Sequence, residues 1–292
     1  MQRQLYLLVY PIIWLISKMP FWLLYLKSDM LYFLLYYIVG YRKKVIKQNL
    51  QLAFPEKLEA ERNLICKKFY KHLCDLIFEA IKGMTITEKE LGKRYTFENL
   101  EVLKELHKKQ KSVLLMSGHY ANWEWSGVLN NQNSYKNYAV YKKIENPYFD
   151  SFVKNLRERF GATLIKSKHV IPALYRSVKK DILSVTLIIS DQSPRPDANG
   201  HRDLFMGIDV PVYTGTESLA KKLDFATVYF KVEKVKRGFY SVRFIPLAED
   251  PNTKEDFEIT RLFLNELEAQ IRKHPEYYLW SHRRWKYRKT EN

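Results

Sequence analysis

The sequence has 292 residues, a length that suits one large domain or two small ones. Hydrophobic residues make up 46% of the chain and aromatic residues 15%, while only 10 glycines and 11 prolines occur, so the composition excludes a disordered or fibrous protein. The formal net charge of +17 favours an acidic partner, which nucleic acid, an anionic membrane surface or an acidic protein would each provide.

Two apolar runs open the chain. The first, Leu5 to Leu26, is long enough to span a membrane, whereas the second, Met30 to Tyr41, is short and is predicted to be an interfacial or buried helix. Basic residues follow the second run directly, a pattern that marks the cytoplasmic side of a membrane. We therefore predict a membrane anchor in residues 1–41 and a catalytic domain in residues 42–292. A buried helix pair of a soluble protein is the alternative.

The only cysteines, Cys66 and Cys74, lie eight positions apart on one predicted helix. This spacing does not suit a disulfide, and the sequence has no Cys/His pattern typical of a metal site. Two reduced thiols fit a protein that faces the cytoplasm.

The chain after residue 41 begins with helices and then alternates between strands and helices. The predicted helices are Arg42 to Ala53, Lys57 to Lys82, Glu98 to Lys109, a helix from about Asn122, Pro147 to Phe160, His169 to Lys180, Thr216 to Leu223 and Phe257 to Lys273. The predicted strands are Ser112 to Met116, Tyr138 to Tyr141, Thr163 to Ile165, Ile182 to Ile189, Ala226 to Val232 and Tyr240 to Ile245. This alternation predicts an α/β fold with a mixed, largely parallel sheet flanked by helices.

The segment Ser117 to Trp125 carries the clearest chemical signal, because it follows a buried strand and opens a helix. His119 and Glu124 would point about 140° apart on one continuous helix, but they can meet across a strand-to-helix turn. Glu124, ionised in the first helical turn, would then bind one ring nitrogen and orient the imidazole. The other nitrogen would be free to take a proton from a substrate hydroxyl. A structural histidine and a helix-capping Glu124 are the alternatives.

This segment resembles a known family. His119-x4-Glu124 in a G-H-[aromatic]-x-N-W-E context is similar to the signature of the lysophospholipid acyltransferase superfamily, and more closely to the late acyltransferases of lipid A biosynthesis. Further blocks in the same order resemble those enzymes: Tyr41-Arg42 to Phe54-Pro55-Glu56, Tyr141-Lys142 to Asn146-Pro147, Asp191-Gln192, and Trp280 to Lys286.

The resemblance implies an acyltransferase in which His119 is the general base and Glu124 orients it. It implies an acyl donor, the strongly acidic acyl-acyl carrier protein or acyl-CoA, and a lipid A precursor as the hydroxyl-bearing acceptor. It implies no metal and no bound cofactor, and it implies an inner-membrane enzyme whose catalytic domain faces the cytoplasm. Lys142 stands where the family commonly has Arg; it keeps a positive charge but loses the bidentate fork that would hold a phosphate or oxyanion. It is expected to bind substrate, with a solvated surface charge as the alternative.

Several further residues are assigned to substrate binding. Asn122 is expected either to cap the helix or to bind substrate. Asp191 and Arg195, in a loop after an apolar strand, are expected to fix the acceptor headgroup, with a surface ion pair as the alternative. Arg283 and Arg284 are expected to bind phosphates or the carrier protein, with a membrane-interface anchor as the alternative. The stretch Phe205 to Tyr213 and the Thr214-Gly215-Thr216 turn are expected to line an acyl-chain tunnel.

Two other functions stay open at this point. One is an O-acyltransferase for a lysophospholipid or an amino-acid-containing lipid, which would use the same catalytic pair. The other is a non-catalytic basic protein that binds the membrane surface. Nucleic acid is not expected as a partner, because the sequence contains no nucleic-acid-binding motif.

Overall fold

The computed structural model describes residues 2–194 and 200–289. The chain starts with helix α1 (Gln2–Lys18), followed by α2 (Phe21–Phe33), which continues through a π-helical turn (Leu34–Val39). The prediction that Leu5 to Leu26 forms one continuous spanning segment is therefore wrong. The break falls at Pro20, which has no N–H to extend a helical ladder. The segment Phe21–Val39 is long and apolar enough to cross a membrane by length and composition.

Three helices connect this apolar start to the sheet: α3 (Lys43–Ala53), α4 (Glu59–Lys82) and α5 (Glu88–Arg94). Helix α4 packs against α2 through polar contacts as well as apolar ones. The Ser28 hydroxyl donates to Asp75 over 2.8 Å, and the Tyr25 hydroxyl donates to Glu79 over 3.0 Å. Cys66 and Cys74 are both buried and free, as the sequence predicted.

A seven-stranded sheet forms the centre of the molecule. Its strands are β1 (Tyr95–Phe97), β2 (Val113–Ser117), β3 (Lys136–Tyr141), β4 (Thr163–Lys166), β5 (Ser184–Ile189), β8 (Ala226–Lys236) and β9 (Phe239–Ala248). They lie in the order β1-β9-β8-β2-β5-β3-β4, and every neighbouring pair is parallel except β8 and β9, so the predicted α/β class with a largely parallel sheet is confirmed. The helices that flank it are α6 (Glu101–Lys108), α7 (Pro147–Glu158), α8 (Val170–Lys179), α9 (Gly215–Leu223) and α10 (Glu258–Lys273).

The sequence pattern accounts for most of these elements. All five residues of β2 are buried, as expected for a continuous apolar run between two neighbouring strands. The Asn146 side chain accepts hydrogen bonds from the backbone amides of Tyr148 and Phe149, and Pro147 follows it. The predicted start of α7, a capping residue followed by proline, is therefore confirmed.

Other elements differ from the prediction or were not predicted. The segment Glu124–Gln132 is a 3₁₀-helix and not an α-helix. A separate antiparallel hairpin, β6 (Arg202–Phe205) with β7 (Ile208–Pro211), lies between β5 and α9 in the chain. Phe205 and Val210 of this hairpin lie in the main hydrophobic core.

Candidate active site

The site lies where two neighbouring parallel strands end. Ser117 of β2 is paired in register with Ile189 of β5, and the Ser190 amide donates to the Ser117 carbonyl over 3.0 Å. The next residues of the two strands, which include His119 and Asp191, therefore leave the sheet side by side. This is the edge at which open α/β sheets bind their ligands.

Both carboxylate oxygens of Asp191 contact His119. Nδ1 of the imidazole lies 2.6 Å from Oδ1, and the His119 backbone amide donates to Oδ2 over 3.0 Å. Because an ionised carboxylate only accepts, Nδ1 carries the proton and Nε2 keeps its lone pair. Nε2 lies on the open side, 3.4 Å from the Gln192 amide nitrogen. The ring is thus held in the tautomer that a general base requires.

The electrostatics of this pair follow from its burial. Burial alone would lower the pKa of His119, but the charge of Asp191 and the hydrogen bond that Nδ1 donates to it outweigh burial, so the pKa lies above its ordinary value. Burial would raise the pKa of Asp191, yet the charge and hydrogen bonds of His119 hold it below its ordinary value. The side chain of Asp191 is 1% exposed, whereas that of His119 is 20% exposed and reaches the cavity.

Glu124 has a different partner from the predicted one. Arg157 of α7 donates to both of its oxygens, over 2.9 and 2.5 Å, and the Trp123 indole donates over 3.2 Å. Among residues 2–194 and 200–289, the carboxylate bonded to the His119 ring is that of Asp191, so the predicted Glu124–His119 hydrogen bond is wrong. Five residues after the histidine, the chain has already entered the 3₁₀-helix, which directs Glu124 towards α7.

Asn122 is buried, at 1% exposure, and both ends of its amide have protein partners. Its oxygen accepts the Trp125 amide over 3.2 Å, which is a capping contact, and its nitrogen donates to Glu79 over 2.7 Å. These contacts fit the capping alternative, and they hold the Asn122 side chain inside the protein. Glu79 also accepts the hydroxyls of Tyr25 and Tyr240, so it joins the apolar helix α2, the catalytic turn and β9.

The turn itself depends on close packing against α10. A Cβ atom on Gly118 would lie 2.8 Å from Cδ1 of Leu267, so any larger residue between the strand and this helix would force the Leu267 side chain to shift. Ala121 adopts a left-handed conformation with φ of 50°. The Ala121 amide donates to Tyr277 and the Leu279 amide donates to the His119 carbonyl, both over 3.0 Å, so the C-terminal segment fixes the turn from outside.

His119 and Glu124 both line one cavity of about 800 Å³, whose lining is predominantly apolar. Helices α7 and α8 and the strands β3 to β5 provide most of the apolar wall of this cavity. Of the stretch Phe205 to Tyr213 and the Thr214-Gly215-Thr216 turn, which were predicted to line an acyl-chain tunnel, Tyr213, Gly215 and Thr216 line this cavity, whereas Phe205 and Val210 lie in the hydrophobic core. The apolar lining includes Ile81, Val140, Phe152, Val153, Leu156, Leu164, Val170, Ile171, Leu187 and Leu219.

The other predicted binding residues fall in different places. Lys142 is exposed and lines the same cavity as His119. Arg195 lies outside the described residues. Arg283 is exposed and lines a second cavity, whereas Arg284 is buried at 1% exposure and donates to the Pro211 carbonyl over 3.2 Å. Arg284 therefore contacts the β6–β7 hairpin, and both oxygens of Asp191 accept hydrogen bonds from His119.

Two residues of the site were missed from the sequence. Arg157 lies in the middle of a charged helical stretch, and Glu79 looks like any acidic residue of a long amphipathic helix. The buried position of Glu79 among apolar residues was the one available signal. For Arg157 the sequence offered none, because its importance comes only from the packing of α7 on the 3₁₀-helix.

Comparison with known proteins gives a consistent result. The family model described as bacterial lipid A biosynthesis acyltransferase matches residues 1–287. The chain is 23% identical over 280 residues to the lipid A biosynthesis lauroyltransferase of Escherichia coli (strain K12), covering 95% of this chain and 90% of that protein. It is also 23% identical to the lipid A biosynthesis myristoyltransferase of the same strain, covering 80% and 71%, and 22% identical to its palmitoleoyltransferase, covering 85% and 79%.

Proposed function

This chain belongs to the bacterial lipid A biosynthesis acyltransferase family, and we propose that it moves a fatty-acyl chain from a thioester donor to a hydroxyl group of a lipid A precursor with His119 as general base. The donor would be acyl-acyl carrier protein or acyl-CoA. One observation carries the proposal: Asp191 fixes His119 so that its unprotonated Nε2 faces a largely apolar cavity of about 800 Å³. A base beside a space for an acyl chain is what this reaction needs.

The reaction would proceed by direct attack. The acceptor hydroxyl gives its proton to Nε2 of His119 as its oxygen attacks the thioester carbonyl. A tetrahedral intermediate forms and collapses, the C–S bond breaks, and the proton passes from the imidazolium to the leaving thiolate. Asp191 stabilises the imidazolium through the 2.6 Å contact, so it is a positioning residue and need not touch substrate.

The remaining polar groups of the cavity have supporting roles in this proposal. Glu124 and Arg157 form a bidentate ion pair, and their opposite charges act on His119 in opposite senses. Lys142 is the exposed cation on the cavity wall, so we assign it to the developing oxyanion or to a phosphate of the acceptor.

We place the enzyme at the inner membrane with its catalytic domain in the cytoplasm. Large apolar side chains of α1 and α2 are exposed, among them Trp22 at 70% and Met30 at 65%. Such a surface is stable in water only when it is covered, and a bilayer would cover it. The basic residues that follow Val39 support a cytoplasmic orientation.

The test is a transfer assay in detergent. Purified protein would be given acyl-acyl carrier protein or acyl-CoA together with a lipid A precursor, and products would be read by mass spectrometry. We expect one added acyl mass with the wild-type protein and none with His119→Ala. His169→Ala is the matched control, because His169 lies at the start of α8 and does not line the cavity.

Three results would change the proposal. Acylation of a lysophospholipid or an aminolipid, but not of the lipid A precursor, would keep the base and replace the acceptor. Full activity of His119→Ala would overturn the catalytic assignment. Membrane binding without transfer to any acceptor would favour a non-catalytic protein that binds the membrane surface.

A further inference from the structure

A second cavity, of about 870 Å³, lies between α3 and the C-terminal segment after Trp280. Five cationic side chains line it, and no Asp or Glu does so among the residues that the structure describes. We propose that this basic groove binds the phosphate groups of an anionic lipid headgroup at the membrane surface. The cationic residues of the groove are Lys44, Arg62, Arg283, Lys286 and Arg288.

These cations have no acidic partners within residues 2–194 and 200–289. Arg62 donates to the carbonyls of Phe54 and Lys57, and Arg288 donates to the Trp285 carbonyl. Neither contact neutralises charge. Like charges held around one concave space repel each other. A bound anion relieves this repulsion, so anion binding in the groove is favourable.

The groove has a fixed shape. Its two walls are tied by the buried Asn49 of α3, whose amide donates to the Trp280 carbonyl over 2.8 Å and to the His282 carbonyl over 2.7 Å. Arg42 adds a hydrogen bond of 2.8 Å to the Ser281 carbonyl. Because both walls are held, the cations of one wall face those of the other at a set distance, as a site for a polyanionic ligand requires.

Its position favours a lipid over a soluble partner. Helix α3 begins four residues after Val39, which is 60% exposed, and its second residue, Lys44, lines the groove. The groove therefore starts close in sequence to the exposed apolar surface that we assign to the bilayer. Basic residues directly beyond an apolar segment are where anionic headgroups collect.

The groove also adjoins the catalytic centre without being part of it. Within the described ranges, no residue lines both cavities. Consecutive residues of the C-terminal segment point to opposite sides: His282 accepts the Ser193 amide at 3.4 Å beside Asp191, whereas Arg283 lies in the groove. A headgroup bound in the groove would therefore lie on the other side of the C-terminal segment from the His119 site.

This inference rests on the proposed function for the identity of one ligand, the phosphorylated acceptor. Bulk anionic phospholipid offers the same phosphate chemistry. The experiment therefore has two arms that separate these sources, using the full chain with Arg283→Gln/Lys286→Gln. The matched control is Lys108→Gln/Lys222→Gln, which removes the same charge from exposed positions outside both cavities. Thermal unfolding establishes that both variants are folded.

The first arm measures kcat/KM on the phosphorylated lipid A precursor and on the same precursor after phosphatase treatment. We expect the ratio of the two values to fall about tenfold or more in the groove variant, because charge-assisted hydrogen bonds are lost. The second arm measures binding to phosphatidylcholine vesicles with and without phosphatidylglycerol. If only the extra binding due to phosphatidylglycerol falls, the proposal holds with bulk lipid as the ligand.

Two outcomes would overturn the inference. In one, both arms give the control's values. In the other, only the KM for the carrier-protein donor rises, which would make the groove a docking site for an acidic protein. The vesicle arm needs no catalysis, so it still decides the matter if the wild-type protein transfers no acyl group. A failure of the proposed function would therefore be recognised separately from a failure of the groove.

Discussion

Replacing Asp191 by Asn is expected to lower kcat by about 10² to 10⁴. The substitution keeps the size of the side chain but removes the charge that accepts from Nδ1 and from the amide of His119. Each hydrogen bond to a charged group contributes about 1.5–3 kcal/mol, so about 3–6 kcal/mol is at stake when the imidazolium forms. The Asn amide can also donate to Nδ1, which would place the proton on Nε2 and abolish the base.

The same change should move the pH dependence. Asp191 is the main group that raises the pKa of His119 against the effect of burial. Its loss lowers that pKa, so the acid limb of kcat/KM should shift to lower pH in the residual activity of the variant. A purely structural role for Asp191 would reduce activity at every pH and leave the position of the limb unchanged.

The assay is initial-rate acyl transfer to a lipid A precursor across the pH range, with the fraction of folded protein checked by thermal unfolding. Asp209→Asn is the matched control. Asp209 lies on the β6–β7 hairpin, pairs with Arg202 and Lys289, and does not line the cavity that contains His119. Activity of Asp191→Asn within about threefold of wild type, or an acid limb that does not move, would refute the reasoning.

Three further substitutions test the surroundings of the site. Arg157→Gln removes a charge that lowers the pKa of His119, so the acid limb of kcat/KM should move to higher pH; a shift to lower pH would contradict this. Burial raises the pKa of Glu79 to about 7, and a raised carboxyl pKa means that stability is lost as pH rises. The melting temperature of the wild type should therefore fall relative to Glu79→Gln between about pH 5 and about pH 8, and parallel profiles would refute it. Gly118→Ala should cost about 1–3 kcal/mol of unfolding free energy through its clash with Leu267, and a fully additive Gly118→Ala/Leu267→Ala double variant would count against that contact.

Much of the fold could be predicted because local patterns determine it. The apolar run of β2 and the cap at Asn146 each define an element without reference to the rest of the chain. The apolar start was harder. Its apolar composition predicts one span to Leu26, but the helix is interrupted at Pro20. The short strand β1 has little pattern of its own and forms through pairing with β9, which is distant in sequence. The β6–β7 hairpin pairs locally, but its strands are only four residues long and give little pattern either.

The site was predicted only in part for a related reason. The position of His119 at the end of a strand followed from the sequence, but the carboxylate that orients it depends on the order of strands in the sheet. β5 is the direct neighbour of β2, which brings Asp191 to His119 across 72 positions of sequence. Glu124, only five positions away, is directed to α7 instead. Proximity in sequence was therefore the wrong guide to the partner of the base.

The two carboxylates of the site have different environments, and the difference suits a base that works near neutral pH. Asp191 is 1% exposed and gives both oxygens to His119, so its charge acts on the imidazole directly. Glu124 would raise the pKa of His119 further, but Arg157 opposes it. If both carboxylates acted unopposed, His119 would stay protonated to higher pH and could not accept a proton from the acceptor hydroxyl. In the proposed mechanism Arg157 therefore limits the rise in the pKa of His119, while Asp191 holds the proton on Nδ1 and leaves Nε2 to act as the base.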